Sequence, residues 1–110
     1  MYYITSTYAD GVINMDSKFI KWNEEKNQIL KLQRGIGFEQ ILDKIESRDI
    51  LGRKIHPNKD KYPDQQIFIV DIDSYIYYVP FVENSDEIFL KTIIPSRKLT
   101  KEYGGNSNEK

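Results

Sequence analysis

The sequence predicts an α+β fold: an antiparallel β-sheet with two N-terminal helices and one C-terminal helix, in the order β-α-α-β-β-β-β-α. Three observations predict it. Phe38, Ile41, Leu42 and Ile45 recur at the i, i+3, i+4, i+7 spacing of an amphipathic helix. Three apolar runs then follow one another between Gln66 and Ile94, parted by Asp73-Ser74 and by Glu83-Asn84-Ser85-Asp86, which are hairpin signals. Aromatics make up 13% of the 110 residues, with eight Tyr and five Phe, a richness that suits pleated surfaces.

Residues 1–14 stand apart as an N-terminal extension. Tyr2, Tyr3, Thr5, Ser6, Thr7 and Tyr8 have β character and Asp10-Gly11 signals a turn, so a peripheral segment or an edge strand is expected. A single domain spans 15–105. Its first strand, Lys18–Trp22, alternates. Asn23 then caps a helix whose first turn holds Glu24 and Glu25, the sign the helix dipole favours, and which runs to Arg34 with Gly35 as its stop. The second helix ends near Glu46–Ser47. A weak strand at Ile50–Ile55 leads into the turn-rich stretch from His56 to Asp64. Strands follow at Gln66–Ile72, Tyr75–Val82 and Glu87–Ile94, and Pro80 inside the middle one calls for a bulge or a sheet edge. The last helix starts at Pro95-Ser96 and stops at Gly104-Gly105, and residues 106–110 are a polar tail.

Composition removes several classes of function. Without cysteine there is no disulfide, no thiolate catalysis and no Cys-based zinc site. With a single histidine, no His pair can hold a metal, and neither a Gly-rich phosphate loop nor a Gly-x-Ser-x-Gly turn occurs. No cofactor or metal is expected. No apolar run approaches bilayer length and no secretory signal opens the chain, so a cytoplasmic location without membrane contact is expected. The net charge of −1 means that any basic field is local. Arg53, Lys54, His56, Lys59 and Lys61 share nine residues with one acid, Asp60. Lys91, Arg97, Lys98 and Lys101 share eleven residues with none. These are either solvated faces or phosphate contacts, and in the second case Lys59, Lys61, Lys91, Lys98 and Lys101 are the RNA-binding candidates.

Two individual residues draw chemistry. Arg97 follows a strand and opens a helix, so its fork and the first free backbone N–H groups can face one phosphate; the alternative is a surface arginine paired with a carboxylate. His56 lies in a loop between prolines and lysines, where it is either plain surface or a titrating group open to substrate, its pKa depressed by basic neighbours. Trp22, at a strand–helix junction, reads as core before it reads as a stacking platform.

Phe19-Ile20-Lys21-Trp22-Asn23-Glu24-Glu25-Lys26-Asn27, Arg34-Gly35-Ile36-Gly37-Phe38 and the closing Ile93–Tyr103 block with Ser96-Arg97-Lys98-Leu99-Thr100 together resemble the BrnT family. These are ribonuclease toxins of bacterial type II toxin–antitoxin pairs, structurally related to RelE-like toxins, and the resemblance covers roughly residues 18–104. It implies a toxin that cleaves mRNA without metal and is neutralised by a DNA-binding antitoxin, of the ribbon-helix-helix type common in the family. Such cleavage needs a base, a cation on the phosphorane and an acid. The resemblance aligns Arg97 and Lys26 with family positions, and His56 completes a candidate catalytic set. Three positions depart from the pattern: Asn23 replaces the Asp after the motif Trp, and Gln66 and Thr92 stand where arginines are common. The alternative is a non-catalytic protein-interaction or nucleic-acid-binding module on the same scaffold.

Overall fold

A computed structural model describes the backbone of residues 2–5 and 18–104 and the side chains of 18–103. The expected polar tail at 106–110 and most of the N-terminal extension lie outside the described residues. The elements are β1 (Tyr2–Thr5), β2 (Phe19–Asn23), α1 (Glu24–Arg34), α2 (Phe38–Glu46), β3 (Gly52–Ile55), β4 (Gln66–Ile72), β5 (Tyr75–Glu83), β6 (Glu87–Leu90), β7 (Ile94–Pro95) and a short α3 (Arg97–Leu99) that runs on as a π-helical turn, Thr100–Gly104. The architecture is α+β. One sheet has the order β1-β2-β6-β5-β4-β3, with β7 pairing β5 beyond the end of β6.

The sheet is mixed, which corrects the antiparallel expectation. β2 runs parallel to β6, with Ile20 opposite Ile88 and Trp22 opposite Leu90. No turn sets this pairing. The strands lie far apart in sequence with both helices between them, which is how a parallel neighbour must be connected. β1 lies antiparallel to β2 as the edge strand on that side.

Local chemistry explains most element boundaries. The Asn23 side chain accepts the Lys26 N–H at 2.9 Å and starts α1. Gly35 ends it at φ 72°, with its N–H donating to the Lys31 carbonyl. At Gly37 a Cβ would stand 2.9 Å from Asn27 Oδ1 and 2.6 Å from Lys31 Cε, so only glycine lets α2 begin this close to α1. Asp73 and Ser74 both take positive φ, 54° and 71°, as a tight hairpin turn between twisted strands requires, and Asp71 Oδ1 accepts the Ser74 N–H.

The third hairpin strand is shorter than expected. β6 stops at Leu90, and Ile94 rather than Ile93 faces Tyr78, so the 91–93 segment carries one extra residue. Pro80 lies opposite this break. Its carbonyl accepts the Lys91 N–H at 2.8 Å, so its missing donor points at a ladder that is already ending.

Alternation along β4 and β5 gives the sheet two different faces. Phe68, Val70, Val79 and Phe81 join Ile20, Trp22, Ile88 and Leu90 under α1 and α2, which supply Leu30, Phe38, Ile41 and Ile45. On the opposite face Ile67, Ile69 and Ile76 pack with Tyr78, Leu99 and Tyr103. The helices therefore do not share a layer: the C-terminal segment covers the second face. Among the described residues no helix is long and apolar enough to cross a membrane.

Candidate nucleic-acid interface

The C-terminal segment is fixed on the second face by hydrogen bonds to one point of β5. The Ser96 N–H donates to the Ile76 carbonyl at 2.9 Å, and the Ile76 N–H donates to Thr100 Oγ1 at 2.9 Å. Ser96 Oγ accepts the Leu99 N–H at 3.0 Å, and Thr100 Oγ1–H donates to the Ser96 carbonyl. The Ser96 cap thus consumes one of the backbone donors that the sequence offers to a phosphate beside Arg97. Arg97 itself is exposed on the first turn.

This anchoring leaves a groove of about 500 Å³ between β3 and the C-terminal segment. Its floor is apolar, formed by Ile67, Ile69 and Leu99, and Tyr78 stands in its wall. Lys54 enters from β3 and Lys98 from α3, with Glu102 as the one acid among the lining residues. Lys54 Nζ also lies 5.9 Å from the Tyr103 ring centre. The two cations outnumber the acid, so the groove is locally basic in a chain of net charge −1. An apolar floor with lysines at its margin fits a planar ring carrying an anionic group.

His56 stands behind this groove, not in it. It is 8% exposed, with its ring 4.6 Å from that of Tyr62 and 6.3 Å, edge-on, from that of Tyr78. Its Nδ1 accepts the Asn58 N–H at 2.9 Å, so the neutral ring carries its proton on Nε2. Its pKa is lowered, and the cause is desolvation by burial, not the basic neighbours invoked from the sequence. The picture of a histidine open to substrate is corrected to one packed between two tyrosines, which locks the loop that follows β3.

The remaining candidates are scattered. Lys98 lines the groove. Lys101 is exposed on the π-helical turn. Lys59 belongs to a separate surface hollow with Asp60 and Asp64, and Lys61 lies over the Tyr62 ring at 5.4 Å. Lys91 lies over the Phe89 ring at 5.1 Å. Lys26 sits on α1, in the layer over the first face, whereas Arg97 sits in the segment over the second, so the sheet separates them. Among the described residues no cluster of His, Cys, Asp and Glu could hold a metal. From sequence Lys54 stands only as a member of the basic stretch Arg53–Lys61, not as an RNA-binding candidate. The available signal was strand alternation, which puts Lys54, Ile67 and Tyr78 on one face.

The block Trp22–Asn27 turns out to build the fold. Trp22 Nε1–H donates to Glu24 Oε1 at 3.0 Å, and the indole stacks on Phe38 at 5.6 Å. Asn27, fully buried, donates from Nδ2 to the carboxylates of Glu24 and Glu39, while its Oδ1 accepts the Phe38 N–H at 2.7 Å. On the same face Glu83 holds both Lys18, at 2.6 Å, and Arg53. Burial alone would raise the Glu83 pKa, but the hydrogen bonds and charges of Lys18 and Arg53 outweigh it and the net shift is downward. Gln66 Oε1 accepts from Arg53 Nε at 2.9 Å, so the position where an arginine was expected serves to orient another arginine.

Compared with protein-family models, with curated proteins and with solved structures, the chain matches none.

Proposed function

We propose that this chain is an RNA-directed toxin of a toxin–antitoxin pair, acting on a single strand held in the groove between β3 and the C-terminal segment. The observation that carries the reading is the placement of Lys54 and Lys98 at the margins of a floor made by Ile67, Ile69 and Leu99. A base rests on that floor against Tyr78 while the two ammonium groups meet the flanking phosphates. In the cleavage reaction the ribose 2′-OH gives its proton to water as its oxygen bonds to phosphorus, the P–O5′ bond breaks, and the departing O5′ takes a proton from water. The products are a 2′,3′-cyclic phosphate and a 5′-hydroxyl. Lys54 and Lys98 neutralise charge on the phosphorane, and Arg97 at the start of α3 adds a further cation to the same side of the sheet. The resemblance supplies the setting: action in the cytoplasm, and a ribbon-helix-helix antitoxin as partner.

A second reading, RNA binding without cleavage, is favoured by one observation. Arg97, His56 and Lys26 do not converge, and His56 Nδ1 is occupied by a backbone donor. Induced bacterial expression of the chain and of its Lys98→Ala and Arg97→Ala variants at matched levels separates the two. Growth arrest relieved in both variants, with new 2′,3′-cyclic phosphate ends in cellular RNA, supports the toxin. RNA association without arrest or new ends supports the binding module. Neither effect from soluble, folded protein contradicts both.

A further inference from the structure

Among the described residues β3 is the last strand of the sheet on the side away from β1 and is hydrogen-bonded to β4 alone. The His56 N–H donates to the Gln65 carbonyl, so alternation along the strand turns the backbone groups of Lys54 toward β4 and those of Arg53 and Ile55 outward. Beside these open groups Ile55 is 64% exposed, and Leu51, just before the strand, is 43% exposed. Edge strands with free hydrogen-bonding groups and exposed apolar side chains are templates for another strand.

The charge around β3 selects what that strand is. Lys54 stands on one face. On the other, the Lys18–Glu83–Arg53 group carries one net positive charge. The loop that follows adds no net charge, since Lys59 and Lys61 stand against Asp60 and Asp64. A second copy pairing through β3 about a two-fold axis would set the Arg53-Lys54 pair against itself, and like charges across a ladder are destabilising.

We propose that β3 is a docking edge for an acidic, extended segment of a partner protein. The segment adds to the sheet as a further strand: its backbone pairs with the outward groups of Arg53 and Ile55, its carboxylates face Lys54 and the neighbouring cations, and alternate apolar side chains cover Ile55 and Leu51. This holds whatever the groove binds.

The test uses the full chain and a short fluorescein-labelled peptide alternating Glu and Val, with its Lys–Val counterpart as control. The acidic peptide binds about tenfold or more tightly than the basic one, the margin expected of charge complementarity at an interface. Binding protects the Arg53 and Ile55 amides from hydrogen exchange. Ile55→Pro removes an outward N–H that β4 does not use, and abolishes binding with the urea midpoint unchanged. Lys54→Glu reverses the preference between the peptides, and this variant with the exchange data decides the matter if Ile55→Pro does not fold. Equal binding of both peptides, or unprotected Arg53 and Ile55 amides, overturns the proposal. So does a self-dimer that Ile55→Pro disrupts, which would make a second copy the occupant.

Discussion

Replacing Asn27 with alanine removes the polar node that joins β2, α1 and α2. The side chain is fully buried, and its Oδ1 is the partner of the Phe38 N–H at 2.7 Å, itself on a residue with no exposure. Alanine strands that donor away from water, at a cost of about 1–3 kcal/mol. It also takes the Nδ2 donor from the Glu24 and Glu39 carboxylates, and hydrogen bonds to charged groups contribute roughly 1.5–3 kcal/mol each. The carboxylates are near enough to the surface to recover water, so the lower ends of both ranges apply and the sum is about 4 kcal/mol. For a domain near 100 residues that lowers the thermal midpoint by roughly 15–20 °C. Urea unfolding followed by the fluorescence of Trp22, the one tryptophan in the chain, reads the change. A loss below about 1 kcal/mol would refute the reasoning, because it would mean that Phe38 finds another acceptor without effort.

Two further expectations concern stability. His56 has a folded pKa below the ordinary 6.5 because it is buried, so the unfolded chain takes up the proton first. Its contribution is complete above 6.5 and declines as pH falls from there toward the lowered value; urea midpoints across this window should slope in the wild type and flatten in His56→Gln. Ser74 sits at φ 71° in the tight turn between β4 and β5, a conformation that glycine adopts without steric cost. Ser74→Gly should stabilise by about 0.5–1 kcal/mol, and a loss in thermal unfolding would show that the Ser74 side chain has a role of its own.

Much of the fold was legible because its signals are local. Asn23 as cap, Gly35 as stop, the spacing of Phe38, Ile41, Leu42 and Ile45, and the Asp73-Ser74 turn each act within a few residues, and each element formed where its signal stood. The parallel pairing of β2 with β6 was not legible, since no turn residue encodes contact between strands so far apart in the chain. Nor was the extra residue at 91–93, which splits one apolar run into β6 and β7. The groove was half legible. Lys54 and Lys98 belong to two separate basic runs visible in the sequence, but only the fold brings β3 and α3 to the same groove. His56 misled for a physical reason: a loop flanked by proline and lysine reads as solvent, whereas Tyr62 and Tyr78 close over the ring. Lys26 followed Arg97 as a candidate only through the motif that contains it, and that motif proves to hold Trp22 and Asn27 in the core through the half-buried Glu24.

The central claim is that single-stranded RNA lies between Lys54 and Lys98, and anisotropy of a labelled RNA oligonucleotide titrated at several salt concentrations tests it most directly. Each lysine that neutralises a phosphate on a single strand contributes about −0.7 to the slope of log affinity against log salt. The account predicts that Lys54→Ala and Lys98→Ala each make the slope shallower by about that amount, and that the double variant loses roughly twice as much. Unchanged slopes in folded variants, or loss through Lys26→Ala on the opposite face of the sheet instead, would contradict it.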